Sequence, residues 1–173
     1  MIEKITEKIN AFNGTAGVVI NELGNEEKFL YNENDVFPAA SVIKLTIIWN
    51  LFKKINNKEI SLDREITLNK KDKVGGFGIL KELHDGMVLT IEDLVILMVI
   101  MSDNTATNIL IGILGMENIN YELKKLKFEK TKLQRKMMDI EAKRNGNDNY
   151  TSPIEIYNLL KEFLITDEHD IDY

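Results

Sequence analysis

The chain offers one β-hairpin and no obvious strand after it, and a two-stranded hairpin is marginal without more strands or a covering layer. Thr15–Ile20 and Lys28–Asn32 are short β-prone runs on either side of Leu23-Gly-Asn-Glu-Glu27, whose Gly-Asn pair marks the turn. Everything downstream reads as helix or turn. The chain of 173 residues, long enough for one domain, therefore reads as a helix-rich body carrying only two strands.

Ile2, Ile5, Ile9 and Phe12 stand at helical spacing and predict an amphipathic N-terminal helix, stopped by Asn13-Gly14. Pro38 breaks the extended segment, and from Ala40 to about Ile55 the pattern is helical, with Leu45, Ile48, Trp49 and Phe52 on one side. Residues 60–89 read as a turn-rich connector containing Gly75-Gly-Phe-Gly78. Thr90-Ile-Glu-Asp93 has the form of a capping signal ahead of a helix over about 91–101. That helix is apolar nearly all round and is expected to be buried. After a break at Ser102-Asp103-Asn104, a helix is expected to end near Gly112 or Gly115, with a short one from about Ile119 to Leu126. Residues 129–150 read as a polar irregular loop, and Ser152-Pro-Ile-Glu155 as a capping box with proline at the first helical position.

Charge and composition exclude several classes of function. With 22 basic and 28 acidic residues the net charge is −6, which disfavours a nucleic-acid or anionic-membrane binder. The longest apolar run, Val95–Met101, is far short of the ~20 residues that span a bilayer. No cysteine is present, so thiol catalysis and Cys-based zinc sites are excluded. The mixed charges of Met1–Lys8 show no signal peptide, which leaves the compartment open.

Ser41-Val-Ile-Lys44 places a hydroxyl and an amine three residues apart at a helix start, on one face and close enough to exchange a proton. The positive end of the helix dipole and burial among Ile43, Leu45 and Ile47 are expected to lower the Lys44 pKa. A partly neutral lysine can then activate the serine, and the Ser41 N–H is a candidate donor to an oxyanion. Alone the motif is weak, since ~0.4 chance matches are expected in this composition, and a first-turn lysine is usually a solvated surface residue. Ser102-Asp103-Asn104 is rarer, at ~0.03 expected matches, although Ser102 or Asp103 also suits a helix cap.

In pairing and order, Ser-x-x-Lys followed by Ser-Asp-Asn resembles the class A β-lactamases and penicillin-binding enzymes. The flanking runs Phe37–Leu45, Leu89–Leu94, Met101–Asn108 and Thr151-Ser-Pro153 resemble them too. The resemblance implies an α+β, β-lactamase/transpeptidase-like fold, with a helical body packed on an antiparallel sheet of which only the N-terminal hairpin is present. It implies one β-lactamase-like domain over residues 1–173, lacking its C-terminal strands and helix. It also implies a serine acyl-transfer hydrolase that opens β-lactams through an acyl-enzyme on Ser41. In it Lys44 is the proton acceptor or relay, Ser102 passes a proton to the leaving nitrogen, and Asn104 binds the substrate amide. Asp103 is implied to be structural. The substrate would be a β-lactam or acyl-peptide, and the family typically works in secreted or periplasmic form.

Two departures accompany this resemblance. In the stretch Arg135-Lys-Met-Met-Asp-Ile-Glu141, Met137 stands where class A enzymes place the glutamate that drives deacylation. Thioether sulfur is no general base, so deacylation is expected to be slow unless Asp139 or Glu141 substitutes through a shift of register. The third family motif, Lys-Thr-Gly or Lys-Ser-Gly, is absent, so three strands and a terminal helix are expected to be missing. The alternatives are a peptidase or esterase acting on non-lactam acyl groups, and a non-catalytic remnant or binding module. His84 and His169 have no partners at metal-ligand spacing, so no metal or cofactor is expected, and Gly75–Gly78 reads as a turn.

Overall fold

The structure, a computed structural model, describes residues 2–167, and His169 lies outside them. The chain divides into two compact units. One comprises residues 1–37 and 151–173, the other residues 38–150. Helices α1 (Ile2–Asn10) and α7 (Pro153–Asp167) and strands β1 (Val18–Asn21) and β2 (Lys28–Tyr31) belong to the first. Two-residue strands β3 (Phe37–Pro38) and β6 (Tyr150–Thr151) stand at the points where the chain passes between units.

In the first unit, β1 and β2 pair antiparallel with Val18 opposite Tyr31 and Asn21 opposite Lys28, as the two β-prone runs require. Asn21 closes the hairpin by donating from Nδ2 to the Asn25 and Glu27 carbonyls at 2.8 and 2.9 Å. Helix α7 supplies the covering layer that the hairpin needs. Its Tyr157 hydroxyl donates to Asn21 Oδ1 at 2.9 Å, and Lys28 of β2 sits 4.9 Å from the Tyr157 ring centre. The helix starts at Pro153 as expected, but the Ser152 hydroxyl has no hydrogen-bond partner among the described residues and forms no capping box. The Ser152 carbonyl instead accepts the Ile156 N–H at 3.1 Å, so proline and the backbone define this helix start.

The second unit is helical. A 3₁₀ turn, Ala40–Ile43, leads into α2 (Lys44–Asn56), followed by α3 (Ile91–Ile100), α4 (Asn104–Leu114), α5 (Met116–Lys125) and α6 (Ile140–Arg144). Helix α4 is central. It packs on α2, α3 and α5 and buries eight of its 11 residues. Ile43, Ile47 and Leu51 from α2 and its entry, Leu94 and Met98 from α3, and Leu110 and Ile111 from α4 make the core. Each fully buried aliphatic side chain contributes roughly 1.5–3 kcal/mol. The fully buried face of α2 is thus Ile43–Ile47–Leu51, while on the expected side Leu45, Ile48 and Trp49 are half-buried and Phe52 is exposed. The burial of Thr46 and Asn50 hides this from a count of apolar residues. Their polar groups are satisfied locally, Thr46 Oγ1 on the Ile43 carbonyl at 2.7 Å and Asn50 Nδ2 on the Thr46 carbonyl at 2.9 Å.

Three further sequence expectations are corrected. Residues 60–89 contain most of a second strand pair, β4 (Glu65–Thr67) antiparallel to β5 (Val88–Thr90), so strands do follow residue 32. Three-residue strands are too short to show alternation. Helix α3 buries Ile91, Leu94 and Met98 only, while Ile96, Val99, Ile100 and Met101 are exposed. With apolar residues all round, its composition could not tell which third of it meets α4. Residues 129–150 include α6, a five-residue helix whose Asp139 caps the Ala142 N–H at 2.9 Å. The Thr90–Asp93 capping box forms as predicted, with bonds of 2.8 and 3.1 Å in the two directions.

Helix α4 ends at Gly115, whose φ of +79° breaks the turn. Helix α5 ends in a Schellman turn: Phe128 N–H reaches the Leu123 carbonyl at 3.1 Å and Lys127 N–H reaches Lys124 at 2.9 Å. Lys127 sits at φ +61°, a left-handed position where glycine avoids a cost of roughly 1 kcal/mol.

Candidate active site

The fold brings the two sequence motifs together inside the second unit. Ser41 lies exposed on the 3₁₀ turn, and Lys44, the first residue of α2, is only 6 % exposed. The link from α3 to α4 delivers Ser102, Asp103 and Asn104 to the same place. Ala40 and Ser102 both have left-handed backbones, at φ +43° and +52°. Strain of about 1–3 kcal/mol at each is tolerated only where the surroundings fix it.

Lys44 Nζ donates to the Ser102 carbonyl at 2.7 Å, to Ser102 Oγ at 2.8 Å and to Asn104 Oδ1 at 3.3 Å. Ser102 Oγ in turn is 2.9 Å from Ser41 Oγ. The spacing of three in Ser-x-x-Lys suggested a direct exchange between Ser41 and Lys44. The structure instead puts Ser102 Oγ between them, because the lysine side chain reaches the α3–α4 link rather than folding back over its own turn.

The three acceptors match the three protons of an ammonium group. When Lys44 is neutral, two N–H bonds can stay on the Ser102 carbonyl and Asn104 Oδ1. The freed lone pair then faces the Ser102 hydroxyl, and the chain Ser41 O–H to Ser102 O–H to Lys44 Nζ runs in one sense. Burial lowers the Lys44 pKa below the ordinary lysine value, and the Asp103 carboxylate opposes that shift. The helix dipole invoked from sequence is not needed to account for its direction.

Both carboxylate oxygens of Asp103 are taken up by backbone donors. Its Oδ1 caps α4 by accepting Ala106 N–H at 3.0 Å, and its Oδ2 accepts Ile79 and Leu80 N–H at 2.7 and 2.9 Å. The implied structural role is its observed one. This buried carboxylate ties the Gly75–Gly78 segment to α4. Asn104 completes the tie, with its N–H on the Phe77 carbonyl at 3.0 Å and its Nδ2 on the Gly75 carbonyl at 3.2 Å. One Nδ2 proton of Asn104 is left for a ligand. The closeness of this packing dictates the glycines. A Cβ on Gly78, at φ +106°, would lie 2.2 Å from the Asp103 carboxylate, and one on Gly76 would lie 2.5 Å from Asn104 Nδ2.

The Arg135–Glu141 stretch is held in one register. Asn108, on the α4 face one turn beyond Asn104, donates from Nδ2 to the Met137 carbonyl at 3.0 Å and accepts Met137 N–H at 2.7 Å. Arg135 Nε bonds Asp148 Oδ1 at 2.7 Å and closes the loop. Burial pushes the Asp148 carboxyl up, but hydrogen bonds from the Asn149 amide, Arg135 and Lys143 outweigh it and hold the group below its ordinary value. Met137 is buried, Asp139 is the cap of α6, and Glu141 is exposed on that helix. Sequence reading overlooked Asn108 and the Gly75–Gly78 segment as parts of this site. The one-turn spacing of Asn108 from Asn104 was the available signal. His84 lies apart in its turn, Nδ1 3.2 Å from the Asp85 carbonyl.

The chain is similar to known proteins over most of its length. The sequence model of the "Beta-lactamase enzyme family" matches residues 1–169. β-Lactamase PSE-4 of Pseudomonas aeruginosa is 27 % identical over 150 residues, 86 % of this chain and 52 % of that enzyme. The crystal structure of a β-lactamase from Sphaerobacter thermophilus DSM 20745 superposes with a TM-score of 0.83 at 33 % identity, covering 95 % of this chain and 62 % of that one. A point mutant of PBP-A, solved as an acyl-enzyme complex with penicillin G, superposes at a TM-score of 0.78 and 26 % identity, covering 88 % of this chain and 57 % of that one. The chain thus spans between half and two thirds of the length of these relatives.

Proposed function

The chain belongs to the β-lactamase enzyme family, and from that premise we propose that it carries the nucleophile half of a class A-type serine hydrolase acting on β-lactams through a covalent acyl-enzyme on Ser41. The observation that carries the reading is the unbroken contact series from Ser41 Oγ through Ser102 Oγ to a buried Lys44 Nζ, at 2.9 and 2.8 Å. In this mechanism neutral Lys44 takes the proton of Ser102 as Ser102 takes that of Ser41, and Ser41 Oγ bonds to the lactam carbonyl carbon. As the ring C–N bond breaks, Ser102 returns a proton to the nitrogen and is reprotonated from Lys44. The free Nδ2 proton of Asn104 holds the substrate's side-chain amide, and the Ser41 N–H faces the oxyanion.

Residues 1–173 are read as part of one β-lactamase-like domain. Met137 occupies the deacylation position in this mechanism, so the acyl-enzyme is long-lived and turnover slow. The test is intact-mass spectrometry of the full chain after exposure to penicillin G. One added penicillin mass in the wild type, and none in Ser41→Ala, is expected. An unmodified wild type, or an adduct that survives Ser41→Ala, would overturn the proposal. Ser102→Ala is expected to lower the acylation rate by about 10²–10⁴ through loss of proton relay. An unchanged rate would remove Ser102 from the route.

A further inference from the structure

The net charge of −6 conceals a local reversal. Residues 124–136, Lys-Lys-Leu-Lys-Phe-Glu-Lys-Thr-Lys-Leu-Gln-Arg-Lys, hold seven of the 22 basic residues and one of the 28 acidic ones. Folding leaves five of the seven basic residues exposed, while Lys130 and Arg135 are half-buried and Arg135 pairs with Asp148. The segment runs down the last turn of α5, reverses at Lys127 and returns beside the same helix. Reciprocal bonds at 2.8 and 2.9 Å between the Asn120 side chain and the Leu133 backbone hold the returning strand there. Along this return the side chains alternate. Thr131 and Leu133 are buried, while Lys132 and Lys136 are exposed, as are Lys124, Lys125 and Lys127 before the turn.

Two ordinary explanations account for part of this. Cations in the last turn of a helix complement its dipole, which covers Lys124 and Lys125. Glu122 neutralises some of the charge, pairing with both Lys125 and Lys53 of α2. Neither explanation reaches Lys132 or Lys136. Nor does either explain a lysine at Lys127, whose φ of +61° makes glycine the less strained residue.

We propose that this lysine strip is a docking surface for a flexible linear polyphosphate-type polyanion, bound through its charges rather than through sequence or bases. Among the described residues, the large exposed apolar or aromatic side chains nearest the strip in sequence are Tyr121 before it and Met138 and Ile140 after it, single side chains at its two ends. That leaves no apolar face to enter a bilayer and no row of aromatic rings on which bases could stack. The inference is independent of the chemistry assigned to Ser41.

Long-chain inorganic polyphosphate is the probe, titrated against the full chain by fluorescence anisotropy at several salt concentrations. If Lys124, Lys127, Lys132 and Lys136 each displace a counterion, log Kd rises with log salt with a slope of about 2.8, weakening binding about 50-fold between 50 and 200 mM salt. The variant K124A/K127A/K132A/K136A should abolish this slope and with it the binding at low salt. K4A/K8A/K70A/K71A makes the same change in net charge at exposed lysines elsewhere and should bind as the wild type does. Circular dichroism establishes that both variants are folded. Absence of binding at low salt, equal losses in the two variants, or tighter binding to anionic vesicles or duplex DNA than to polyphosphate would each overturn the proposal.

Discussion

Replacing Asp103 by alanine tests whether this carboxylate, rather than the helix packing alone, positions the Ser102–Asn104 link. Its two oxygens accept three backbone N–H groups at 2.7, 2.9 and 3.0 Å. Two of these donors, on Leu80 and Ala106, belong to residues with no exposure and would be left without a partner. An N-cap loss costs about 0.5–2 kcal/mol, and a buried amide left unsatisfied about 1–3 kcal/mol. Ile79 is 43 % exposed, so water can replace its bond and it adds little. The expected destabilisation is therefore about 3–4 kcal/mol, a large share of the roughly 5–15 kcal/mol typical of a whole domain. Urea unfolding reads it out. With m near about 2 kcal/mol/M, the midpoint should fall by about 1.5–2 M at unchanged m. Asp103→Asn keeps the shape and one acceptor oxygen but turns an NH₂ toward a backbone donor, so it should lie between the wild type and alanine. A midpoint shift below about 0.5 M for Asp103→Ala would show that the helices hold this link without the carboxylate.

Gly78→Ala places a methyl group 2.2 Å from the Asp103 carboxylate at φ +106°, and should cost at least about 2 kcal/mol by thermal unfolding. In the Asp103→Ala background much of that penalty should vanish, because the obstructing group is gone. Asp148 is held below its ordinary pKa, so the stability it contributes is fully present above the unfolded value near about 3.9 and is lost as pH falls through the lower folded value. Asp148→Asn should therefore be less stable than the wild type at about pH 6, with the gap in urea midpoint closing at about pH 3. Met137→Glu, placed by the Asn108 clamp, should shorten the lifetime of the penicillin adduct, read as faster loss of the added mass. A lifetime unchanged from the wild type would refute the assignment of that position to deacylation.

Local chemistry decided how much of this could be read beforehand. Ser41, Lys44, Ser102 and Asn104 were legible because each motif is a fixed string of residue types. The Thr90–Asp93 cap was legible because its partners are three residues apart. What stayed hidden depends on residues far apart in the chain. The route from Ser41 to Lys44 passes through a hydroxyl 61 residues away from Ser41, and no spacing within Ser-x-x-Lys encodes it. The short strands β4 and β5 and the five-residue helix α6 carry too few residues for a period to show.

The Gly75–Gly78 segment makes the same point from the side of packing. As a sequence it is a turn, and turn chemistry accounts for glycine at a positive φ. It does not account for the space that Gly76 and Gly78 leave open, which Asn104 Nδ2 and the Asp103 carboxylate occupy. The acids and amides of Ser-Asp-Asn are held because a segment far earlier in the chain has no side chains to interfere and offers its carbonyls and N–H groups instead. These glycines therefore belong to the site as surely as Asn104 does. Their effect on acylation would run through the position of that one amide, which is why substitutions there should change reactivity and stability together.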